Sequence, residues 1–421
     1  MSKFTRLMGA AGVTLMMAAG VAQAQSKTFS VWWFELPDTP QAKAWTKAVE
    51  EFKAKHPGVE VKFEQKTFDQ LQKAGSMILN SDQAPDVLEY NKGNATAGLV
   101  ASQGLLTPLD DVVKQRGWDK ILPEANLQLS KYDETGIYGS GPIVGLPAHA
   151  EFVSVFYNED MFKANNIKIP TSMEEFEAAL EAFKKTGVTP LTVGAVDSNG
   201  QHLLYTLALT QADDTWVKNY QGLKAPLDTK PFLFTAQKIA DWIKKGYISK
   251  DATGLKDIDV AGLFAAGKAP MLVAGTWNNG KFAAGIKNFQ WNQFLFPTPQ
   301  YSVGSTGNLF VVPKSAKNKE YAYDFIDILL SKENQNLQAN YGGVAVAADP
   351  ANITDPIGKR NVEMFKQIAD KNGLGFYPDW PVPGYYELLN QADTGLFSGS
   401  ITPEQFVERL KKAYDDEQSS R

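Results

Sequence analysis

The chain has 421 residues, of which 21% are charged and 43% apolar, as in ordinary globular proteins rather than disordered ones. This length exceeds that of one ordinary domain and predicts two. The sequence contains no cysteine, which excludes disulfides, thiolate nucleophiles, cysteine-ligated metals and a lipid-modified N-terminal cysteine.

The first 24 residues have the features of a secretory signal peptide. Lys3 and Arg6 give a basic start, residues 7–21 are apolar and small, and Ala22-Gln23-Ala24 is a cleavage motif. A membrane anchor is the alternative, but the apolar run is short, and no stop-transfer pattern follows it. We expect cleavage after Ala24 and residence in the periplasm. The mature chain then has 40 Lys+Arg against 47 Asp+Glu, which disfavours nucleic acid and anionic lipid as partners.

Strand and helix patterns alternate through the first part of the mature chain. TFSVWWF (28–34) predicts a strand, and Pro40 begins a helix that ends at residues 56–58. The next predicted elements are a strand over 59–63, a helix over 68–79 and a strand over 84–91. This order is typical of a mostly parallel sheet covered by helices.

A second α/β block begins near residue 150. The capping box TSME (171–174) predicts the start of a helix that ends at Gly187. The other predicted elements are strands over 152–157, 271–274 and 309–312, a helix ending at Gly246, a helix over 321–330, and an ordered aromatic loop over 376–386.

The stretch GLFAAGKAPM (262–271) has the glycine and lysine spacing of a phosphate-binding loop. Such a loop needs Ser or Thr after its lysine to ligate Mg²⁺, and Ala269 occupies that place. The alternative is a helix that ends at Gly267, with Leu263 and Phe264 packed inward, followed by a strand. We favour this alternative and expect no nucleotide.

Motifs for catalysis are mostly missing from the sequence, and nothing in it points to a Ser-His-Asp triad. It has three histidines, His56, His149 and His202, and neither HExxH nor GxSxG. A secreted glycoside hydrolase is the catalytic alternative and needs two carboxylates about 5 Å or about 6.5–9.5 Å apart, but no motif singles out such a pair. His149 and His202 could line a cleft, with a structural role as the open alternative. We expect no catalytic residue, no metal and no cofactor.

Aromatic and polar residues cluster where predicted strands end, and ligands of open α/β sheets bind beyond the carboxyl ends of strands. An indole can cover the apolar face of a sugar ring, and Glu or Asn can bond its hydroxyls. The candidate contacts are Trp33, Glu35, Glu89, Asn91, Glu151, Trp277 and Asn278. Each tryptophan has core packing as its alternative role, which we expect for Trp45 and Trp242. A polyol phosphate is a second ligand class, but it would favour clustered Arg or Lys.

An ordered set of motifs resembles the sugar-specific solute-binding proteins of ABC importers, the family that includes maltose-binding protein. The motifs are FSVWW, APDVLEYN, ASQGLLTPLDD, GLPAHAEFVSVFYNEDMF, PTSMEEFEAAL, GLFAAGKAPMLVAGTW and SKENQNLQANYGGVAVAAD. The resemblance implies two discontinuous α/β lobes that close on a ligand about a hinge, the type II binding-protein fold. The implied lobes are residues 25–149 with 307–342, and residues 150–306 with 343–421.

The resemblance also implies further contacts and partners. Trp33, Glu89, Glu151 and Trp277 match positions near the ligand in the family. Asn308 and Gly343 lie at the remaining crossings between lobes, and Trp380 would be another aromatic platform. The ligand would be a mono- or oligosaccharide, the partner the permease of an ABC transporter in the inner membrane, and the protein a monomer. Basic residues that some relatives use are not clearly matched, which leaves the exact sugar open.

Overall fold

The computed structural model describes residues 27–421, so the predicted signal peptide and its cleavage site lie outside the described residues. The strands are β1 Thr28–Trp33, β2 Glu60–Gln65, β3 Val87–Tyr90, β4 Lys131–Tyr132, β5 Tyr138–Ile143, β6 Gly145–Pro147, β7 Glu151–Asn158, β8 Leu191–Thr192, β9 Met271–Gly275, β10 Trp291–Phe294, β11 Gly304–Ser305 and β12 Leu309–Val311.

The α-helices are α1 Pro40–Lys55, α2 Phe68–Leu79, α3 Leu99–Ser102, α4 Asp110–Arg116, α5 Glu124–Gln128, α6 Glu159–Ala164, α7 Met173–Lys185, α8 Ser198–Leu209, α9 Asp214–Gly222, α10 Lys230–Lys245, α11 Asp257–Ala265, α12 Asn279–Gly285, α13 Lys319–Leu330, α14 Lys332–Asn340, α15 Pro356–Asp370, α16 Tyr385–Ser398 and α17 Pro403–Ser420. None of the helices in residues 27–421 is both long and apolar enough to cross a membrane.

The first sheet has the strand order β2-β1-β3-β12-β6. Strand β1 pairs in parallel with β2 and β3, and β12 runs antiparallel to β3 and β6. The carboxyl ends of β1, β2 and β3 therefore lie at one edge, where β12 begins. Alternation along β1 leaves Trp32 partly exposed and buries Trp33, as the two opposite faces of a strand require.

Helix α1 covers this sheet because its apolar residues share one face. Thr39 caps its first turn by accepting a hydrogen bond from Ala42 N, and Pro40 occupies its first position, where a missing N–H costs nothing. Trp45 is fully buried and packs edge-on against Phe310 of the sheet, with ring centroids 4.9 Å apart. The predicted core role of Trp45 is confirmed.

The second sheet has the strand order β10-β7-β9-β8, with β11 also paired to β7. All eight residues of β7 are buried, as expected of a central strand covered on both faces. Its apolar core includes residues of α7, α8, α10, α16 and α17, among them the fully buried Trp242. The carboxyl end of β9 and the start of β7 lie at one edge because these strands are antiparallel.

Three chain segments pass between the sheets and touch one another. The segments are 148–151, 305–308 and 343–346. The N–H of Ala150 donates to the carbonyl of Val344 at 2.7 Å, and Ser305 pairs with Glu151. Gly307 has φ +76°, and a Cβ there would lie 2.3 Å from the carbonyl oxygen of His149. The crossings therefore form a packed strip with no room for a larger residue at Gly307.

Two local predictions were wrong in detail. The N-cap of α7 is Ser172, which accepts from Glu175 N, while Thr171 donates to the Glu175 carboxylate; the cap thus lies one residue later than the TSME pattern indicated. In α11, Phe264 is fully buried, but Leu263 is 37% exposed. Adjacent residues on a helix point about 100° apart, so both cannot face the core.

Candidate functional site

A cleft of about 530 Å³ lies between the two sheets. It is bounded by the edge at the carboxyl ends of β1, β2 and β3 and by the edge at the carboxyl end of β9. This volume is typical of sites that bury a small organic ligand. The first sheet supplies side chains at the ends of its parallel strands, namely Phe34 and Glu35 after β1, Gln65 and Lys66 at the end of β2, and Asn91 and Lys92 after β3. It also supplies Asn308, which lies just before the antiparallel strand β12. The parallel strands bring these residues together because their carboxyl ends share one edge.

Glu89 lies directly beneath this part of the cleft and is fully buried. One of its carboxylate oxygens accepts from Phe34 N at 2.9 Å, and the other accepts from Asn308 Nδ2 at 3.3 Å. Burial raises the pKa of Glu89 well above its ordinary value, and the charge of Glu35 adds to the increase. Glu89 therefore positions two groups of the cleft wall without itself lining the cavity.

Three buried groups meet at the crossings: Glu35, His149 and Glu151. His149 Nε2 lies 3.8 Å from Glu35 Oε1 and 3.8 Å from Glu151 Oε2. Neither ring nitrogen of His149 has a hydrogen-bond partner among the described residues. Burial raises the pKa of Glu35, while the nearby His149 opposes the increase. One ligand atom of each residue lies within 4.8 Å of the others, close enough to hold a cation. Glu35 and Glu151 also line the cleft, where a carboxylate can accept hydrogen bonds from hydroxyl groups.

Lys92 is a buried donor in the cleft wall. Its Nζ donates to Thr306 Oγ1 of the central crossing. Burial lowers the pKa of Lys92 to about 7, with the charge of Glu151 opposing the decrease. The side chain thus links β3 to a crossing and presents a donor near the carboxylates.

Trp277 is an aromatic surface of the cleft on the second-sheet side. It follows β9, is partly exposed, and donates from Nε1 to Asp257 Oδ2 at 3.3 Å. Its ring lies 5.2 Å from that of His202, which also lines the cleft. Burial lowers the pKa of His202 to about 3, so this imidazole is neutral at physiological pH. One indole face can therefore meet an apolar ligand surface without a neighbouring positive charge.

Further carboxylates lie on the same side of the cleft as Trp277. Asp197 caps α8 and also accepts from Asp257 N at 2.9 Å. Burial raises the pKa of Asp197 to about 6. Asp379 lines the cleft beside Tyr377, and burial together with the charge of Glu151 raises its pKa to about 6. The cleft lining therefore contains more carboxylates than basic side chains, the carboxylates being Glu35, Asp69, Glu151, Asp197, Asp257 and Asp379.

The structure brings Glu35, Asn91, Glu151, Trp277 and Asn308 into the cleft lining. Of the remaining candidates, Trp33 lies outside it, stacked on Phe63 with ring centroids 4.9 Å apart. Asn278 is also buried away from the lining and donates to the carbonyl of Gly275 at 3.4 Å.

Gly343 and Trp380 also lie outside the lining. Gly343 forms a tight turn after α14, where its N–H donates to the Gln338 carbonyl at 3.0 Å. Trp380 is 2% exposed and stacks on Phe376, with ring centroids 4.0 Å apart. Its carbonyl accepts from Ala95 N at 3.0 Å, so this tryptophan joins the two halves of the molecule.

Several lining residues were not among the candidates, notably Gln65, Phe68, Asp197, Asp257, Tyr377, Asp379 and Tyr386. Gln65 could have been found from the strand-end rule, because it is the last residue of a parallel strand. Asp197 and Asp257 begin helices in the same block, but no local pattern shows that these helix starts meet Trp277.

Two α/β halves joined by three crossings around one solute-sized cleft define a binding protein of the two-lobed periplasmic type. The chain belongs to the family of bacterial extracellular solute-binding proteins, whose model matches residues 37–336. The expected fold class is thereby confirmed. Membership also confirms that the protein is a binding protein and not an enzyme, and the glycoside hydrolase alternative is dropped.

Curated relatives and solved structures agree with this assignment. A probable sugar-binding periplasmic protein of Rhizobium meliloti is 25% identical over 75% of this chain and 76% of its own. An arabinooligosaccharide-binding protein of Bacillus subtilis is 23% identical over 69% of this chain and 67% of its own length. Among solved structures, a chitin oligosaccharide binding protein superposes with a TM-score of 0.79 at 20% identity, covering 93% of this chain and 99% of its own.

Proposed function

We propose that this protein captures a mono- or oligosaccharide in the cleft and presents it to the membrane permease of an ABC importer. The observation that carries the proposal is the convergence of Trp277 with Glu35, Asn91 and Glu151 around one cavity. A sugar needs an aromatic surface for its C–H face and oriented acceptors for its hydroxyls. The names of the relatives support the same ligand class.

Each half of the cleft has a distinct role in this proposal. Trp277 is the stacking platform. Glu35 and Glu151 accept hydrogen bonds from sugar hydroxyls at the crossings. Asn91 and Asn308 form hydrogen bonds with the sugar from the side of the first sheet. Charge-assisted bonds to carboxylates are stronger than neutral ones and distinguish one hydroxyl arrangement from another. Acceptors outnumber basic groups in the lining, which favours a neutral sugar over a sugar phosphate.

The two sheets with their helices are proposed as two lobes that close on the sugar. The lobes would comprise residues 25–149 with 307–342, and residues 150–306 with 343–421, hinged at the three crossings. Ligand contacts to both lobes would shift the population toward the closed form, which the permease would recognise. We further propose that the chain acts as a monomer in the periplasm after cleavage behind Ala24.

A thermal unfolding screen of residues 25–421 against neutral sugars and sugar phosphates tests this function. A sugar at a hundredfold excess over its dissociation constant should stabilise the folded state by about 2.7 kcal/mol. The matched variant Glu151→Gln should lose most of that shift, because a charged acceptor becomes neutral and half of it becomes a donor. A shift with sugar phosphates alone would favour the second ligand class, and no shift with any compound would contradict the proposal.

A further inference from the structure

An aromatic contact joins the two halves of the molecule at the cleft. Phe68, the first residue of α2, and Tyr386, near the start of α16, have ring centroids 5.6 Å apart at 70°. The ring of Phe34 also contacts Phe68, with ring centroids 5.2 Å apart. All three rings line the cavity. Rings at this separation are in direct edge contact, so a sugar ring cannot pass between them.

The Tyr386 side of this contact is held in place. The carbonyl of Tyr386 accepts from Gln201 Nε2 at 3.1 Å, which fixes the start of α16 against α8. Next to Tyr386, Glu387 Oε1 lies 3.2 Å from Lys73 Nζ of α2. The two charged side chains are 58% and 44% exposed, so this pair adds little stability.

A second contact between the halves bounds the cleft elsewhere. The loop 36–39 contributes Leu36 and Thr39 to the lining, and a Cβ at Gly280 would lie 2.3 Å from the carbonyl oxygen of Asp38. This loop therefore lies tightly against the start of α12. Residues of both contacts line the cavity of about 530 Å³, and this volume is typical of a site for one small molecule.

We propose that Phe68 and Tyr386 are specificity-determining residues that close one end of the cleft and limit the ligand to one or two sugar rings. This inference rests on the proposed sugar function and narrows its substrate class. A third ring would have to occupy the space where the two aromatic rings meet, which would hold the halves apart and remove the contacts made on closure.

Calorimetric titration with sugar ladders of one linkage tests the inference. The probes are the free monosaccharides together with the di-, tri- and tetrasaccharides of the malto, cello and xylo series. The wild type should bind a mono- or disaccharide at least tenfold more tightly than the trisaccharide of the same linkage. The variant Phe68→Ala/Tyr386→Ala should reduce this ratio of affinities at least fivefold, because it removes the two rings that close the end of the cleft.

Matched control variants separate the effect of the Phe68–Tyr386 contact from other effects of substitution. Phe68→Tyr with Tyr386→Phe keeps both rings and should keep the wild-type ratio, and Lys73→Ala should also leave it unchanged. Both aromatic residues are partly exposed, so their variants should fold, which a melting curve checks. Equal affinity of the wild type for di- and trisaccharides, or an unchanged ratio in the double alanine variant, would overturn the inference while leaving the sugar function intact. No binding of any sugar would overturn both.

Discussion

Asn308 donates from Nδ2 to Oε1 of Glu89 at 3.3 Å, joining the start of β12 to β3 at the floor of the cleft. The other oxygen of Glu89 accepts from the N–H of Phe34. A fully buried carboxylate thus holds an amide of the cleft wall and the backbone that leads to Glu35. Loss of this group should alter both folding and binding.

The first prediction concerns Glu89→Gln. The glutamine amide would point a donor at either Phe34 N or Asn308 Nδ2, which leaves a buried donor unpaired and costs about 1–3 kcal/mol of unfolding free energy. Chemical denaturation measures this cost. The control Glu50→Gln removes an exposed carboxylate paired with Lys47 and should change stability little. Equal stability of the two variants would show that the bonds of Glu89 are unimportant.

Trp277→Ala should weaken sugar binding by about 1 kcal/mol or more, because a stacking surface is lost. The matched variant Trp277→Phe keeps an aromatic face and should retain most of the affinity. Isothermal titration calorimetry measures both, and circular dichroism checks that the fold persists. Unchanged affinity in the alanine variant would remove Trp277 from the set of ligand contacts.

The pKa of Asp379 predicts a pH-dependent stability of the ligand-free protein. Folding raises this pKa from 3.8 to about 6, so the folded state binds the proton more tightly than the unfolded state. The resulting stabilisation is complete below about pH 4 and is lost as the pH rises through about 6. Near pH 7.5, Asp379→Asn should therefore be more stable than the wild type, by on the order of 1–3 kcal/mol.

Denaturation at several pH values checks this expectation. The gain from Asp379→Asn should shrink toward zero near pH 4. A gain that stayed constant across the range would mean that the ionisation of Asp379 does not cause it.

Gly307→Ala should damage the crossings. The residue has φ +76°, and its new Cβ would meet the His149 carbonyl oxygen at 2.3 Å. Gly187 has φ +86°, but no atom lies within 4 Å of the position that a Cβ would take there, so Gly187→Ala isolates the cost of backbone conformation, about 1–2 kcal/mol. Gly307→Ala should lose more unfolding free energy than that and bind sugar more weakly. Equal losses would show that the strip of crossings can adjust.

Much of the fold was predictable because its elements carry strong local signals. The strand over 28–34, the helix from Pro40 and the helix over 68–79 were all confirmed, since their periodicity and caps agree with their tertiary environment. The strand-end rule also located Glu35 and Asn91 at the cleft.

The rest depended on contacts that local sequence does not record. Alternation showed that Trp32 and Trp33 face opposite sides, but it could not show that the Trp33 ring would stack on Phe63 of a neighbouring strand. Trp380 looked like a platform, yet Phe376 covers it. Phe68 was predicted as a helix start, and only the packing of α16 brings it to Tyr386.

The most direct test of the central claim is a crystal structure of residues 25–421 with the sugar that gives the largest stabilisation. We expect one sugar ring over the indole of Trp277, with hydroxyls bonded to Glu35, Glu151 and Asn91 from both halves. A sugar bound elsewhere, or held by one half alone, would contradict the account.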